Sequence, residues 1–207
     1  GDNRPGNLSE EQVRFAKTIE TSGNDLLMLI NDILDISKIE AGRLELQPRR
    51  VKLAPLLTKL EGEFTPMAEN KGISLVVADG KGAPQIETDP QRLEQVLRNF
   101  VSNAIKFTEK GKVSVEVSQP DDDNIAFTVR DTGPGIAHDQ QIAIFEAFRQ
   151  ADGTISRKYG GTGLGLSISR ELTRLLGGTI SLDSELARGS AFTLTLPMAY
   201  DPLSVRP

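Results

Sequence analysis

The first part of the chain carries apolar residues at helical spacing over a stretch without proline. Between Ser9 and Ala41 these residues form two series with a seven-residue repeat, Phe15, Leu29 and Ile36, with Ser22 as the polar interruption, and Ile19, Leu26 and Ile33. Ser9 and Gln12 have the spacing of a capping box, and Gly42 provides a stop. The pattern predicts one long helix whose apolar sides need a partner, which we expect to be a helix of another subunit in a bundle, with contacts made only in a crystal as the alternative.

After Pro48 the pattern changes to alternating helices and half-buried strands, which predicts a domain boundary near residues 42–52. We expect helices near residues 54–70, 89–107 and 164–177, with Pro66 leaving the last turn of the first in doubt. Alternating apolar residues predict strands at 73–77, 113–117, 125–129, 180–182 and 192–196. The predicted fold class is α+β, a two-layer sandwich of a mixed sheet with helices on one face, after one long helix. The predicted domains are residues 1–45 and 46–200, followed by a tail at 201–207.

Composition narrows the classes of protein that remain. The 207 residues carry 24 basic and 29 acidic side chains, a net charge of -5, so we expect no nucleic-acid partner. The absence of cysteine excludes disulfides and thiolate metal sites, and the single histidine, His138, excludes zinc sites built on several histidines. The longest aliphatic run, Leu26 to Ile30, is too short to cross a bilayer. We expect a cytoplasmic region of a longer protein, since the chain starts without methionine, and leave open whether the parent is anchored in the inner membrane.

The helix predicted at 89–107 has one polar side. Its apolar residues gather on one face, and Arg92, Gln95, Asn99, Asn103 and Lys106 gather on the other. This polar face either meets water or binds a ligand. Asparagine is a poor helix former, whereas its carboxamide oxygen suits a magnesium ion carried by phosphates, and a lysine one turn away could neutralise phosphate charge.

Two segments contain several glycines. The first follows a predicted strand, and the second leads into a predicted helix. Asp131-Thr132-Gly133-Pro134-Gly135-Ile136 is either a tight turn or a ligand loop in which the carboxylate accepts a hydrogen bond from an exocyclic amine such as that of adenine. The segment from Tyr159 to Leu166 has four glycines before a helix start, a place where backbone N–H groups can hold phosphates. Arg157 and Lys158 precede it, and it lacks the Rossmann and P-loop spacings. Between the two segments, Phe145 and Phe148 either pin a mobile lid or anchor the core.

The order of these motifs is similar to that in the ATP-binding domain of sensor histidine kinases, within the gyrase, Hsp90, kinase and MutL superfamily. Residues 99–108 resemble its N box, 131–136 its first glycine box, 145–148 its F box and 161–165 its second glycine box. The resemblance covers about residues 52–198. It implies a Bergerat-type fold that binds ATP or ADP with Mg²⁺.

The resemblance also implies roles for individual residues. Asp131 would bind the adenine amino group, Asn103 would coordinate magnesium, and Asn99 and Lys106 would meet the phosphates. Gly133 and Gly135 would line the pocket, and Thr193 would lie under adenine. Gly161, Gly163 and Gly165 would contact the phosphates from the lid side, and the remaining nucleotide-binding candidates are Arg157, Lys158 and Leu164.

The upstream segment resembles a second part of the same kinases. Residues 33–42 are similar to the end of the second helix of the dimerisation and phosphotransfer domain in hybrid sensor kinases. This implies a homodimer, a receiver domain of a response regulator as partner, and transfer of the ATP γ-phosphoryl to a histidine. The chain lacks the His-Glu-x-x-Thr-Pro-like acceptor box, and we expect His138 to be an exposed lid residue, so self-phosphorylation is not expected.

Two other functions remain open at this point. Gyrase- and Hsp90-like ATPases place a general-base glutamate one turn before the magnesium asparagine, where this chain has Asn99, while Glu94 lies off that face. A regulatory module that has kept the fold without binding nucleotide is the second alternative.

Overall fold

The structure, a computed structural model, describes residues 6, 8–146 and 163–202. The chain divides into two compact units, residues 1–44 and 45–207. Over the described residues, the structure contains no helix with the length and apolarity that a membrane crossing requires.

The first unit is built on one helix, α1, which spans Glu10–Glu40. Both bonds of the predicted capping box form, since the Gln12 N–H donates to Ser9 Oγ at 3.2 Å and the Ser9 N–H donates to Gln12 Oε1 at 2.8 Å. Gly42 follows the helix with a φ of +62°, which confirms the predicted stop. Four residues of the two apolar series are exposed on the single chain, namely Phe15, Ile19, Leu26 and Ile33.

The second unit contains a five-stranded mixed sheet, as predicted. Its elements in chain order are β1 (Arg49–Val51), α2 (Leu53–Lys71), β2 (Ser74–Val77), β3 (Ile86–Thr88), α3 (Pro90–Phe107), β4 (Lys112–Ser118), β5 (Asn124–Asp131), single 3₁₀ turns at His138–Gln140 and Ala143–Phe145, α4 (Gly165–Leu175), β6 (Thr179–Glu185) and β7 (Gly189–Pro197). The strand order is β2-β4-β5-β7-β6, with β2 parallel to β4 and the other pairs antiparallel. A separate pair, β1 with β3, was not predicted.

The two faces of the sheet differ in chemistry. Val115, Val129 and Phe192 share a register row and are buried on the side of the helices. The next row on the opposite side contains Glu116, Thr128, Thr193 and Ser181. Because side chains alternate along a strand, this opposite face is polar and the core lies between the sheet and α2, α3 and α4.

The last turn of α2 is helical although Pro66 left it in doubt. The Lys71 ammonium donates to the carbonyl oxygens of Ile105 and Lys106 at 2.7 and 2.5 Å, which ties this turn to the end of α3. Gly72, at a φ of +72°, then ends the helix. The tertiary contact therefore stabilises a turn that local sequence disfavours, and it also satisfies carbonyl groups that the end of α3 leaves without helical partners.

Helix α3 is fixed at its start and along its apolar side. The buried Asp89 carboxylate accepts hydrogen bonds from the N–H groups of Gln91 and Arg92, and also from that of Gln47 at 2.9 Å. Midway, the Phe100 ring packs against Phe192 of β7 with a centroid distance of 5.4 Å. The position of α3 on the sheet is thus set by a cap at one end and an aromatic contact in the middle.

We expect Lys71→Met to lower the free energy of unfolding by about 2 kcal/mol, since hydrogen bonds from a charged donor are worth roughly 1.5–3 kcal/mol. The matched control is Lys59→Met, which breaks an ion pair with Glu94 in which the lysine side chain is 63% exposed, and it should cost below about 1 kcal/mol. Urea unfolding followed by circular dichroism measures both. Equal losses in the two variants would contradict the role given to Lys71.

Candidate functional site

The polar face of α3 is not simply solvated, because α4 packs against it. Asn99 and Asn103 are both half-buried. The Asn99 Nδ2 group donates to Ser169 Oγ on α4 at 2.8 Å, and the Asn103 Nδ2 group donates to Asn99 Oδ1 at 3.3 Å. The two predicted asparagines therefore form one hydrogen-bonded chain that begins at Ser169.

A glycine at the start of α4 allows this close approach. A Cβ atom placed on Gly165 would overlap the Asn99 amide. Leu164, just before it, has a fully buried side chain, so only its backbone is available to a ligand. The start of α4 has no side-chain cap, and its first-turn N–H groups face the end where Gly163, at a φ of +71°, enters the helix.

Asp131 lies at the end of β5 and is buried. Its Oδ1 accepts a hydrogen bond from the Gly133 N–H at 2.8 Å, and the backbone of Ser190 on β7 also bonds the carboxyl group. Burial raises the pKa of Asp131 above its ordinary value, because loss of solvent disfavours the charged form, and the two backbone bonds offset only part of this. A carboxyl group whose pKa is shifted by burial is a candidate functional residue.

The two glycines after Asp131 have structural roles in a tight turn. A Cβ on Gly133 would lie 2.8 Å from Asp131 Oδ1 and 3.3 Å from the Phe107 carbonyl oxygen, so glycine lets the turn close against the end of α3. Gly135 has a φ of +71°, and a Cβ there would overlap the Glu185 carbonyl. The segment therefore forms a tight turn beside the end of α3, and binding of a ligand at this turn stays a prediction.

Helix α3 connects two groups of polar side chains. Phe107 at its end contacts the Gly133 turn, and Asn99 lies eight residues earlier, which is about 12 Å at 1.5 Å per residue. Lys106 is on the same face as the asparagines, with its Nζ 5.1 Å from the centre of the Phe107 ring. The helix thus carries the side-chain amides of Asn99 and Asn103 near its middle and meets the turn of the buried Asp131 carboxylate at its end.

The structure does not bring Thr193 to Asp131. In the register of β5 and β7, Asp131 pairs with Ser190, whereas Thr193 pairs with Thr128 on the opposite face, where the two hydroxyl oxygens are 3.0 Å apart. Ser190 is the β7 residue beside the carboxylate, and the sequence analysis missed it. The signal was present, because the alternation that turns Phe192, Leu194 and Leu196 inward also turns Ser190 inward and Thr193 outward.

Other predicted residues have mixed outcomes. Arg157, Lys158, Gly161 and Phe148 lie outside the described residues. Phe145 packs edge-on against Phe192 at 6.3 Å, as a core anchor would. His138 is exposed, as expected. Glu94 faces α2, where its carboxylate lies 2.6 Å from the Lys59 ammonium.

No group of three or more His, Asp or Glu side chains in residues 6, 8–146 and 163–202 is placed to hold a metal ion. Asn103 Oδ1 accepts no hydrogen bond in this part of the chain. Of the described residues, a magnesium ion at this site would therefore take one protein oxygen, and phosphates and water are suitable further ligands.

The part of the chain that contains this site matches known proteins. Residues 88–200 match the family described as histidine kinase-, DNA gyrase B-, and HSP90-like ATPase. The circadian input-output histidine kinase CikA of Synechococcus elongatus is 41% identical over 207 residues, which cover 98% of this chain and 27% of that protein. The signal transduction histidine-protein kinase BarA of Escherichia coli is 40% identical over 200 residues, 94% of this chain and 22% of that protein. The chain thus spans about a quarter of the length of these relatives.

A solved structure gives the same result at the level of the fold. Full-length ShkA in complex with AMPPNP superimposes with a TM-score of 0.80 and 37% identity, covering 94% of this chain and 41% of that one.

In the absence of nucleotide, we expect the Asp131→Asn variant to become more stable than the wild type as the pH rises from about 4 to 7. Burial raises the pKa of Asp131, so the ionised form of this carboxyl group is disfavoured in the folded chain. Below the ordinary carboxyl pKa the two proteins should have nearly the same stability, since the native carboxyl is then neutral. Thermal unfolding at several pH values measures the difference. Asp183→Asn, on the exposed side of β6, is the control and should show no such trend.

Proposed function

Because the chain belongs to the histidine kinase-, DNA gyrase B-, and HSP90-like ATPase family and carries the ATP-binding catalytic domain of sensor histidine kinases in two-component signalling, we propose that Asp131 and Asn103 hold the two ends of a magnesium nucleotide. The observation that supports this most is that one helix, α3, joins the buried carboxylate to the Asn99–Asn103 amide pair. The AMPPNP bound to ShkA, the structural relative, is a nucleotide of the same class.

At the adenine end, Asp131 accepts a hydrogen bond from the exocyclic amine. Its carboxylate already receives the Gly133 N–H, which fixes its orientation before the ligand arrives. Ser190, rather than Thr193, is the neighbouring hydroxyl on β7. Gly133 and Gly135 shape the turn that forms this wall of the pocket.

At the phosphate end, Asn103 supplies the protein ligand to magnesium, and Asn99, Lys106 and the N–H groups from Gly163 to Gly165 meet the phosphates. The start of α4 supports this, since uncapped helical N–H groups favour anions. Arg157, Lys158 and Gly161 belong to the same proposal as phosphate contacts. Bound magnesium supplies charge neutralisation on the phosphates.

The reaction of the whole protein is, in this proposal, transfer of the ATP γ-phosphoryl to a histidine imidazole, which leaves ADP. The only histidine of the chain, His138, does not lie in a His-Glu-x-x-Thr-Pro-like box, so the proposed acceptor is a histidine on another polypeptide segment. The subsequent acceptor is a receiver domain, consistent with relatives that are named hybrid signal transduction histidine kinases.

The structure disfavours rapid hydrolysis by this site. One helical turn before Asn103 lies Asn99, which has no carboxylate to activate water, and Glu94 is engaged by Lys59 on the α2 side. General-base assistance is typically worth roughly 10²–10⁴-fold in rate. Slow turnover conserves bound ATP for a phosphoryl acceptor.

Calorimetric titration with AMPPNP and Mg²⁺ tests nucleotide binding. We expect the chain to bind, and Asp131→Asn to weaken binding about 10- to 100-fold, because a hydrogen bond to a charged acceptor is worth roughly 1.5–3 kcal/mol. Asp183→Asn makes the same change of charge on an exposed strand position and should leave the affinity within about twofold of wild type by the same arithmetic. Absence of heat with the wild-type chain would instead favour a regulatory module without nucleotide.

We also propose that α1 pairs with a second copy of the chain through its exposed apolar residues. Light scattering over a concentration series should show a mass rising above 22.5 kDa for the wild type. Leu26→Glu should shift this rise to higher concentration, because it places a charge in the apolar contact. Leu186→Glu is the control, since Leu186 is 61% exposed and Leu26 is 57% exposed. A mass that stays at the single-chain value would contradict the pairing.

A further inference from the structure

Ser169 is a buried polar residue that the proposed nucleotide contacts do not include. It lies on α4 and is 2% exposed. Its hydroxyl oxygen accepts the Asn99 Nδ2 hydrogen bond at 2.8 Å, which links α4 to the amide pair of α3. We propose that Ser169 is a positioning residue that holds the Asn99–Asn103 amide pair against α4 and so keeps the Asn103 Oδ1 where the metal of the bound nucleotide would meet it. This inference rests on the proposed function of the same site.

The argument follows from the two ends of a carboxamide group, one a donor and the other an acceptor. With its Nδ2 engaged by Ser169, Asn99 turns its Oδ1 to Asn103 and accepts a hydrogen bond from the Asn103 Nδ2 at 3.3 Å. The Asn103 amine is thereby occupied, and its Oδ1 is the atom left for a cation. The reverse orientation would use that oxygen inside the protein and present an N–H group, which repels a metal ion.

The surroundings limit the freedom of the Asn99 amide to take other orientations. The start of α4 lies so close that a Cβ at Gly165 would overlap it. The next residue, Phe100, is held by its ring contact with Phe192, so the backbone of α3 cannot easily shift to relieve a misplaced amide. Ser169 is therefore placed to hold the Asn99 amide, and through it the Asn103 amide, in position.

The expected signature is a change in metal requirement. Ser169 contacts neither the nucleotide nor the metal in this chain of contacts, because Asn99 and Asn103 lie between, so its removal should act only through the amides. Loss of a group that orients a metal ligand usually costs roughly 10- to 100-fold in metal affinity. We expect Ser169→Ala to raise about tenfold the Mg²⁺ concentration that gives half-maximal AMPPNP-dependent thermal stabilisation, at the lower end because Asn103 is one of several ligands.

Matched variants separate this role from packing. Ser169→Thr keeps the oxygen acceptor and should restore the wild-type Mg²⁺ midpoint. Thr173→Val removes a buried hydroxyl from the same helix that has no hydrogen-bond partner within the described residues, and it should leave the midpoint unchanged. If Ser169→Ala does not fold, Ser169→Cys replaces it, because sulfur is a weak acceptor of similar size.

Two further measurements test whether Ser169 acts through Asn99. In an Asn99→Ala background, Ser169→Ala should have no additional effect on the Mg²⁺ midpoint, since a residue that acts only through a partner is silent without it. The side-chain NH₂ signals of Asn99, assigned by their loss in Asn99→Ala, should shift in Ser169→Ala and remain in place in Thr173→Val.

The results distinguish the inference from the function on which it rests. A wild-type chain that binds AMPPNP with no need for Mg²⁺, or does not bind it, overturns the proposed nucleotide site. A wild-type chain that requires Mg²⁺ and loses this requirement in Asn103→Ala, while Ser169→Ala keeps the wild-type midpoint, overturns the positioning role alone. A shifted midpoint in Ser169→Ala, restored in Ser169→Thr, supports it.

Discussion

The packing of the apolar side of α3 on the sheet is the constraint on which the rest of the site depends. Phe100 and Phe192 meet at 5.4 Å, and the buried residues Leu93, Val96, Leu97, Val101, Ala104 and Ile105 extend the contact along the helix. When the apolar side of an amphipathic helix is packed in this way, the direction in which its polar side faces is also fixed. The asparagines therefore face α4, and the end of the helix meets the Asp131 turn.

The site contains a carboxyl group, that of Asp131, whose ionised form is unfavourable in the folded chain. Burial raises the pKa of Asp131, so its ionised form costs stability in the folded chain without nucleotide. The same desolvation strengthens any hydrogen bond that the carboxylate accepts from a ligand, because little water competes for it. Backbone donors from Gly133 and Ser190 hold the group without neutralising it. Affinity for a ligand that donates a hydrogen bond to Asp131 and stability of the ligand-free chain are therefore opposed at this residue.

Periodicity was sufficient for the long elements but not for contacts between them. The capping box of α1, the three helices of the second unit and five sheet strands could be predicted because each repeats a pattern over several residues. β1 and β3 are three residues each, which is too short for an alternating pattern of apolar and polar residues to be recognised. The last turn of α2 needed Lys71 to reach α3, and Ser169 meets Asn99 across 70 residues of sequence, so neither could be found from local spacing. Ser190 could have been found, because it shares the inward period of β7 with Phe192.

The glycines of the site differ in what obstructs a larger residue. At Gly135 the obstacle is the backbone of Glu185, and at Gly189 it is the backbone of Asp131, so no side-chain exchange elsewhere can make room. At Gly165 the obstacle is the amide of Asn99, which a substitution can remove. Descendants of this sequence should therefore keep the first two glycines unconditionally. For Gly165 and Asn99 we instead expect covariation, in which a larger residue at position 165 accompanies a shorter one at position 99.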